Sequence, residues 1–600
     1  MNWSTQKTGI ARLVGAALCM IAAMLIALDM TSLMEQEELW TQQPLWFWLS
    51  VWGAILLLFG GKITTLPQPW KLLGASLLSG VLLAGGFMPM PTFFLSFVAF
   101  VPLLWAERKV AAAREKASKW TIFKLAFCTF FTWNLLSTWW IQNSSFPAGI
   151  FGNTLNAIFM CIPFVFYHIT HKRLGVRAAN WGLIGYWLTF ELGHLNWDLS
   201  WPWLTLGNSF AHLPSIVQWY EYTGVFGGSL WILGANLYLI NLLCNSPERK
   251  STKAIIARMA MLILLPISVS LALYYSYDTT AGEAVEVVAV QPNYEPHYRK
   301  FSTSTTAKIE DHQTLAKKYL TDKTDYLIFP ETSFNYSDSS NISRSSITRN
   351  FRTFIADYPK LNLVMGISSY REYDALEEKP LNVSERCHNG RCRYFNFHNA
   401  AIQINNTAED IPYYVKSKLV PGAEIMPFIG GVPFFKNLIL DLGGISGTGL
   451  STQAERAVFT SANGVVAPLI CYESIYGGFV TDYTKKGAEI FFVLTNDGWW
   501  GDTWGQQQHL HLSRLRAIEN RRDVVRAANS GTSCIINARG DVLQATNYNE
   551  ATALRGTAHL HQEKTFYVQY GNLIGRVSIL LSAWFLVTML ANVAQLKRKN

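Results

Sequence analysis

The stretch GVVAPLICYES (residues 464–474) is an apolar run that stops abruptly at Cys471 and leads into a helix-compatible segment. A short apolar run bounded in this way is typical of a buried β-strand. A cysteine at a strand-to-helix turn is expected at the exposed edge of a sheet, where a nearby helix N-terminus lowers the pKa of the thiol. Cys471 is therefore a candidate nucleophile, although a lone cysteine of this kind is more often a buried structural thiol.

Around this run, residues 279–570 alternate β-rich runs with polar, helix-compatible stretches. Such alternation predicts an α/β domain in which helices cover the strands. The expected strands are 285–292, 325–331, 361–368, 397–404, 413–420, 464–473 and 489–497, and the expected helices lie near 301–320, 341–357, 473–486 and 505–522.

Two of the other strands carry charged residues. DYLIFPE ends in Glu331, and a carboxylate directly after an apolar run is a poor core residue unless it has a partner or a chemical task. YYVKSKLV places Lys416 and Lys418 on one face of its strand and Val415 on the other. A solvated strand end for Glu331 and an aggregation-blocking edge charge for Lys416 are the ordinary alternatives.

The rest of the chain is strongly apolar. Only 15% of all residues are charged, against roughly 25% in an ordinary soluble domain. A helix of about 20 apolar residues crosses the ~30 Å core of a bilayer. Ten runs qualify as membrane helices: 9–29, 44–61, 70–88, 91–106, 121–141, 150–169, 177–195, 221–245, 254–276 and 572–595.

Basic residues fall in alternate loops between these runs, which is the pattern of the positive-inside rule. The rule places both termini in the cytoplasm and residues 279–570 on the outer side of the membrane. The net charge of +9 is explained by these loops, so no nucleic acid partner is expected. The basic loops carry Lys62 and Lys71; Arg108, Lys109, Arg114, Lys116 and Lys119; Lys172, Arg173 and Arg177; and Arg249, Lys250 and Lys253.

Four parts of the chain follow from this count. Residues 1–66 hold two N-terminal membrane helices, 67–278 a bundle of about seven, 279–570 the outward domain, and 571–600 a last helix with a basic tail.

Two further motifs bear on metal binding. Cys387 and Cys392 flank His-Asn-Gly-Arg, and Asn-Gly favours a hairpin turn. A disulfide-closed hairpin suits an oxidising compartment, with a metal site that uses His388 as the alternative. His509 and His511 are two residues apart on a predicted helix and face different ways, which indicates structural roles.

Glu331, Lys416 and Cys471 occur in the order of the nitrilase-type carbon–nitrogen hydrolases. The local sequence then resembles the apolipoprotein N-acyltransferases over about residues 70–595. The segments that carry this resemblance are PETS (330–333), YVKSKLVPGAEIMPF (414–428), APLICYES (467–474), TNDGWWGDTWGQQQHLHLSRLRAIENRR (495–522) and, among the apolar runs, WPWLTLGNSF (201–210).

The resemblance implies a polytopic α-helical membrane bundle plus an α/β nitrilase-like α-β-β-α sandwich domain. It assigns catalysis to Glu331, Lys416 and Cys471, and it selects Lys416 over Lys418 by the spacing to Leu-Val-Pro. It also implies that Glu424 and Glu473 orient Lys416. Tyr472 and Asn399 complete the supporting residues.

The implied reaction moves a fatty acyl group from a membrane phospholipid, through a thioester on Cys471, to the N-terminal amine of the diacylglyceryl-cysteine of apolipoproteins, and so completes lipoprotein maturation. Neither a cofactor nor a metal is implied. The expected protein is a multi-pass monomer of the bacterial inner membrane with a periplasmic catalytic domain.

The mouth of the site is expected to be apolar, because both substrates are lipids. Candidates for this mouth are Trp499, Trp500 and Trp504, with Phe301 in place of a tryptophan of the family's mobile loop. Ordinary interfacial aromatic residues are the alternative for the three tryptophans.

The sequence departs from the family in two places. Two N-terminal helices precede the matching region, and Leu-Val-Pro-Gly-Ala-Glu stands for the family's Leu-Val-Pro-Phe-Gly-Glu.

Two rival functions keep parts of this interpretation. A membrane-tethered amidase would pass the acyl group to water. A transporter-like bundle with an outer recognition domain would need ionisable residues deep in its helices. Glu191 and His194 are the candidates, but they lie near the end of the run 177–195, where a lipid-facing cavity would explain them equally well.

Overall fold

The protein is described here from a computed structural model. It describes residues 3–113, 118–244, 252–374, 383–388, 391–406, 409–425 and 449–599. The basic loop residues Arg114, Lys116, Arg249 and Lys250 lie outside these ranges, as does Asn600 at the end of the tail.

Helices make up the first half of the chain. Nine of the ten predicted apolar runs fall mainly on one helix each. The helices are α1 (Trp3–Glu35), α2 (Gln43–Phe59), α3 (Pro69–Gly85), α4 (Val101–Ala112), α5 (Thr121–Thr138), α6 (Phe146–Leu174), α7 (Val176–His194), α8 (Tyr220–Thr223), α9 (Val225–Cys244) and α10 (Thr252–Ser276).

The remaining run, 91–106, does not form one helix, so the prediction of a single membrane helix there is wrong. A short 3-10 helix (Phe93–Phe97) precedes α4, which begins only at Val101. The buried side chain of Asn236 on α9 explains how the break is tolerated. Its amide donates to the Ser96 carbonyl at 2.8 Å, and its oxygen accepts from the Phe100 N–H at 2.8 Å. A side chain thus replaces the helical hydrogen bonds.

Six helical segments among the described residues have the length and composition to cross a membrane. The shorter helix α3 is also apolar. The six segments are Thr8–Glu35, Gln43–Lys62, Phe146–Leu174, Val225–Cys244, Ile256–Ser276 and Leu573–Asn592.

Ionisable side chains inside the bundle are bound by its own residues. Glu191 accepts hydrogen bonds from the Trp187 indole at 3.0 Å and the Leu206 N–H at 2.8 Å. The His194 Nε2 lies 2.9 Å from Asn156 Oδ1. These contacts hold the bundle together and give no support to a transport path.

The second half of the chain forms two sheets. One has the order β13-β1-β2-β3-β5-β4 with β6 paired to β5, and the other has the order β12-β11-β10-β9-β8-β7. The strands are β1 (Glu283–Gln291), β2 (Tyr326–Asp338), β3 (Asn362–Tyr373), β4 (Ser384–His388), β5 (Arg391–Ile404), β6 (Tyr413–Val415), β7 (Phe459–Ser461), β8 (Gly464–Ile470), β9 (Ile490–Thr495), β10 (Asp523–Ala528), β11 (Cys534–Ile536), β12 (Val542–Ala545) and β13 (Thr552–Leu560).

Helices cover the outer faces of both sheets. Strand β2 shows the layers by its alternation. Tyr326 points to the second sheet, where its ring lies 5.1 Å from that of Phe492, whereas Phe329 points outward to Phe351 at 5.3 Å. The domain is therefore an α-β-β-α sandwich. Its helices are α11 (Thr305–Lys317), α12 (Ser346–Ile355), α13 (Gly477–Lys485), α14 (Trp504–Asn520) and α15 (Phe566–Tyr570), and α16 (Leu573–Lys599) follows.

Strands β4 and β5 form the predicted hairpin, and a disulfide between Cys387 and Cys392 closes it. With Glu385, these cysteines are the one group of potential metal ligands among the described residues. Because both sulfurs are in the disulfide, neither is available as a thiolate ligand.

The sandwich is attached to the bundle by buried polar contacts. The Gln508 amide donates to the carbonyls of Met88 at 3.1 Å and Ser137 at 3.0 Å. Arg521 pairs with Glu221 at 2.7 Å. Residues from both parts therefore meet at fixed positions, and the candidate site lies at this junction.

Candidate active site

Cys471 follows directly on the last residue of β8. It opens a 3-10 turn (Cys471–Ile475) and has a positive φ of 47°, which is uncommon for a residue with a side chain. The turn is held by the Ser474 hydroxyl, which donates to the Cys471 carbonyl at 2.7 Å. The sheet end and this turn direct the thiol into a cavity, as expected for a nucleophile.

The thiol is nevertheless not exposed, because Cys471 is only 7% accessible. Burial, together with the negative charge of Glu331, raises the pKa of the Cys471 thiol, while Lys416 opposes this shift. The expectation of an exposed thiol with a lowered pKa is therefore wrong. Desolvation outweighs any effect of the short turn. The thiol needs a base beside it to act as a nucleophile.

Glu331, Lys416 and Asn399 come together in the same cavity. The Lys416 ammonium and the Asn399 amide both donate to Glu331 Oε1, at 2.9 and 2.7 Å. Burial alone would raise the pKa of Glu331, but Lys416, Lys300 and these hydrogen bonds hold it below the usual value. Glu331 is thus a carboxylate, and its Oε2 has no hydrogen bond to any described residue.

Glu331 lies on β2 where a neighbouring strand comes unusually close. A Cβ on Gly366 of β3 would lie 2.6 Å from both the Cα of Glu331 and the carbonyl oxygen of Pro330. Thr332, the next residue, has a positive φ of 46°. Glycine at position 366 therefore permits the turn of backbone that aims Glu331 into the cavity.

The two lysines of YYVKSKLV do not share a strand face, because β6 ends at Val415. Lys416 is 1% accessible and lies 2.9 Å from both Glu331 Oε1 and Glu424 Oε1. The ammonium of Lys418 lies instead over the Tyr476 ring, 5.1 Å from its centre. Lys416 is thus the lysine in the cavity, as the family resemblance indicated.

The electrostatics of Lys416 favour its charged form. Burial lowers its pKa, but Glu331, Glu424 and Cys471 raise it well above the usual value. Asn399 also donates to Glu424 Oε1 at 2.9 Å, so one amide links the two carboxylates. The arrangement thus places the Lys416 ammonium between the side chains of Glu331 and Glu424.

Glu473 makes no hydrogen bond to the Lys416 ammonium among the described residues, so any effect it has on the orientation of this lysine acts through the backbone. It accepts from the Ser417 N–H at 2.6 Å and the Ile470 N–H at 2.8 Å. The Tyr414 hydroxyl donates to it at 2.6 Å. Glu473 therefore ties the backbone next to Lys416 to the backbone next to Cys471. Burial raises the pKa of this carboxyl.

Tyr472 connects the nucleophile to the bundle. Its hydroxyl donates to the Ser200 carbonyl at 3.2 Å, and its ring lies 6.3 Å from that of Trp203. The residue after Cys471 is thus held by the segment that the sequence marked at 201–210.

The cavity has a volume of about 1360 Å³, including its mouth. Phe301, Trp499 and Trp500 line it, whereas Trp504 does not. The bundle contributes the facing wall, and the lining residues from this side include Trp140, Ile141, Ala148, Trp201 and Trp203. The cavity is therefore shared between the sandwich and the membrane helices.

Trp500 belongs to an aromatic cluster at this wall. Its ring lies 4.8 Å from Trp140 and 5.5 Å from Trp203, both edge-on. The Asn143 amide donates to the Trp500 carbonyl at 3.0 Å and also to the Thr41 carbonyl at 3.0 Å. The loop between the two N-terminal helices is therefore attached to the same wall.

Lys300 is a site residue that the sequence did not reveal. Its ammonium donates to the Glu331 carbonyl at 3.0 Å and to the Thr332 hydroxyl at 2.6 Å. Burial lowers the pKa of Lys300 to about 7. Nothing in the polar segment HYRKFSTS distinguishes this lysine from its neighbour Arg299, except that it precedes Phe301.

A buried ionic cluster contacts the turn that begins at Cys471. His509 Nδ1 lies 2.8 Å from Asp497 Oδ1, and the other oxygen of Asp497 pairs with Arg526. His509 Nε2 lies 2.9 Å from Ser474 Oγ and 3.2 Å from the Cys471 carbonyl. His511 faces away, with its ring 6.2 Å from His212. The two histidines thus face different ways and contact structural partners, as the sequence predicted.

Two family models match this chain, and they match its two parts. The carbon–nitrogen hydrolase model matches residues 286–562, and the apolipoprotein N-acyltransferase N-terminal domain model matches residues 79–238. Among solved structures, Saccharomyces cerevisiae Nit3, a member of branch 10 of the nitrilase superfamily, covers 47% of this chain and 92% of its own. Its TM-score is 0.33 and its sequence identity 14%.

Two curated relatives match this chain over nearly their whole length. The apolipoprotein N-acyltransferase of Chlorobaculum tepidum is 28% identical over 84% of this chain and 93% of its own length. That of Geobacter metallireducens is 24% identical over 88% of this chain and 95% of its own. Fold and site together define a carbon–nitrogen hydrolase domain joined to a bundle of apolar helices. Within that class, the chain belongs to the apolipoprotein N-acyltransferase family.

Proposed function

We propose that this protein transfers a fatty acyl group from a membrane phospholipid, by way of a thioester on Cys471, to the N-terminal amine of the diacylglyceryl-cysteine of apolipoproteins. One observation carries the proposal. Cys471, Glu331 and Lys416 line a cavity whose facing wall is a tryptophan-rich surface of the helical bundle. Such a wall suits acyl chains and keeps water away from a thioester. The name of the relatives supports acyl transfer to an apolipoprotein amine.

In the first half-reaction, Glu331 removes the thiol proton of Cys471. Its Oε1 is held by Lys416 and Asn399, which leaves Oε2 to act as the base. The thiolate attacks the ester carbonyl carbon of the phospholipid, and the bond from this carbon to the glycerol oxygen breaks. Glu331 returns its proton to that oxygen, and the lysophospholipid leaves.

Stabilisation of the tetrahedral oxyanion falls to Lys416 and to backbone N–H groups that follow Cys471. Each such donor is typically worth about 3–4 kcal/mol of barrier. The two carboxylates beside Lys416 keep it protonated for this role.

In the second half-reaction, the amine of the lipidated cysteine attacks the thioester carbon. Glu331 takes the proton from the amine, the carbon–sulfur bond breaks, and the thiolate takes that proton back. The product is an amide, and the free enzyme is restored.

Placement in the membrane belongs to the same proposal. We place both termini in the cytoplasm and the catalytic domain, residues 279–570, in the periplasm of a bacterial inner membrane. The alternation of basic loops supports this orientation. The division at 66, 278 and 570 separates the N-terminal helix pair, the bundle, the sandwich and the last helix.

The test uses the full-length protein in detergent with a phospholipid whose acyl chain is isotopically labelled. We expect the labelled acyl mass on the Cys471 peptide, and its loss in Cys471→Ala. Cys534→Ala is the matched control, because Cys534 is the other buried thiol of the sandwich and should keep the adduct. An absent adduct in the wild type, or one that persists in Cys471→Ala, would refute the mechanism.

A diacylated lipopeptide added to the acylated protein separates acyl transfer from hydrolysis. We expect the adduct to disappear and the lipopeptide to become triacylated at its amine. Release of free fatty acid at the same rate with and without the lipopeptide would instead support the amidase alternative.

A further inference from the structure

A second cavity, of about 990 Å³ with its mouth, lies beside the catalytic one but shares none of the candidate catalytic residues. It is formed where three elements meet. These are the end of α7 at Leu192 and Leu195, helix α13, and the beginning of α16 at Asn572 and Arg576. Helix α16 is one of the segments that could cross a membrane. In the proposed membrane placement α7 is another, and the cavity then lies at the sandwich-side ends of both helices, near the lipid headgroups.

The lining of this cavity is strongly basic. It contains Lys418, Arg456, Lys485 and Arg576 but one carboxylate, Asp482. Asp482 lies 3.2 Å from Lys485 and 4.0 Å from Arg456. Asp198 and Glu473, outside the lining, also act electrostatically on Lys418. The cations still exceed the anions, and a cavity with such an excess favours an anionic ligand.

Two of the cations are held in place by aromatic rings and have unused donors. Arg456 lies over the Phe479 ring at 3.7 Å, and its buried Nε has no hydrogen-bond partner among the described residues. The Lys418 ammonium lies over the Tyr476 ring at 5.1 Å and donates to no described acceptor. Pre-placed guanidinium and ammonium groups of this kind match the oxygens of a phosphate group.

The cavity opens beside an apolar surface. On α16, the exposed side chains of Leu573, Val577 and Leu580 are 42%, 54% and 72% accessible. A ligand that placed its anionic group among the cations would therefore lay apolar chains along this helix. A phospholipid has this combination of a phosphate and acyl chains, whereas free phosphate has only the first.

We propose that this cavity binds the phosphodiester headgroup of a phospholipid, at a site separate from the catalytic cavity. The site touches the catalytic machinery through the backbone. Lys418 follows Lys416 by two residues, and the Tyr476 hydroxyl lies 2.7 Å from Ser200 Oγ, next to the contact of Tyr472. A bound headgroup therefore holds the segment from Lys416 to Lys418 in place, and with it Tyr472 and Tyr476.

The test measures binding without turnover, in the full-length protein with Cys471→Ala. The probe is phosphatidylglycerol with a photoreactive diazirine on its headgroup, and the readout is the mass of cross-linked peptides. We expect cross-links within residues 476–485 or 569–576. The double variant Lys418→Gln with Arg456→Gln should reduce them at least 10-fold. Lys486→Gln is the matched control, because Lys486 pairs with Glu455 and does not line the cavity.

Three outcomes would overturn the proposal. Cross-links confined to residues 496–504 would place the lipid in the catalytic cavity. Cross-linking that is unchanged in the double variant would exclude the cations as ligands. Full displacement by an equimolar amount of inorganic phosphate would show a free-phosphate site instead of a lipid site.

A second variant covers the case in which the double variant does not fold. Arg576→Gln changes an exposed side chain at the mouth and should reduce the same cross-links about threefold. An unchanged yield in this variant would count against the site. Because Cys471 is absent throughout, failure of the proposed acyl transfer would leave these results intact.

Discussion

The ammonium of Lys300 binds the backbone of Glu331 and not its carboxylate, with 3.0 Å between Nζ and the carbonyl oxygen. The same ammonium holds the hydroxyl of Thr332, whose φ is positive. A second buried cation thus fixes the backbone turn that aims the candidate base, while Lys416 binds the carboxylate itself.

Replacing Lys300 by methionine should slow the acylation of Cys471 by roughly 10–100-fold, because small displacements of a reacting group are costly. The pH profile separates this positioning role from simple packing. Burial lowers the pKa of Lys300 to about 7, so its charge is present below that pH and is lost above it. Loss of this charge weakens the hydrogen bonds from Lys300 to the Glu331 carbonyl and the Thr332 hydroxyl, which position the candidate base. The wild-type rate should therefore fall as the pH rises through about 7, and Lys300→Met should lack this fall.

Lys360→Met, at an exposed lysine of the same domain, is the control and should keep the wild-type rate and profile. If Lys300→Met kept the wild-type pH profile of acylation, Lys300 would have only a packing role.

Gly366→Ala should displace Glu331, because the new Cβ would lie 2.6 Å from the Cα of Glu331. We expect a loss of about 1–3 kcal/mol in the free energy of unfolding and at least a 10-fold slower acylation. Denaturation and single-turnover acylation measure the two effects. Gly74→Ala on α3, where no atom lies within 4 Å of the new Cβ, is the control. Equal activity of the two variants would contradict the close approach.

The thiol of Cys471 should react slowly with iodoacetamide at neutral pH. Burial and Glu331 raise the pKa of this thiol, so the thiolate is scarce until the pH is well above 9. The alkylation rate, followed by mass spectrometry, should keep rising beyond pH 9. Lys416→Met should slow it further, since the Lys416 charge favours the thiolate. A plateau below pH 8 would mean that the free enzyme already holds a thiolate.

Trp500→Ala should slow acylation by phospholipid at least 10-fold, because its ring packs against Trp140 and Trp203 in the cavity wall. Trp504→Ala offers a matched control, since Trp504 is close in sequence but does not line the cavity. The rate of Cys471 acylation is measured in both variants. Equal effects would show that Trp500 acts as an ordinary packing residue.

Much of the fold followed from local patterns. The strands that end at Ile470 and Thr495 and the helix from Trp504 to Asn520 lie within three residues of their predicted bounds, because apolar periodicity is a local property. The local patterns gave a wrong prediction where a side chain from a distant part of the chain determines the backbone structure. The helix expected at 91–106 is broken because Asn236 satisfies its backbone from another helix.

The sequence alone determined that an apolar strand ends at Cys471, that Glu331 follows a similar strand, and that long apolar helices precede and follow the domain in the chain. Strand ends and apolar runs can be identified from neighbouring residues. Only the tertiary structure decided that Lys416 meets Glu331 across 85 residues, that Glu473 binds backbone instead of Lys416, and that Lys300 joins the site. It also decided that Cys471 is buried with a raised pKa. Burial and charge pairing depend on residues that are far apart in the chain, and no local pattern contains them.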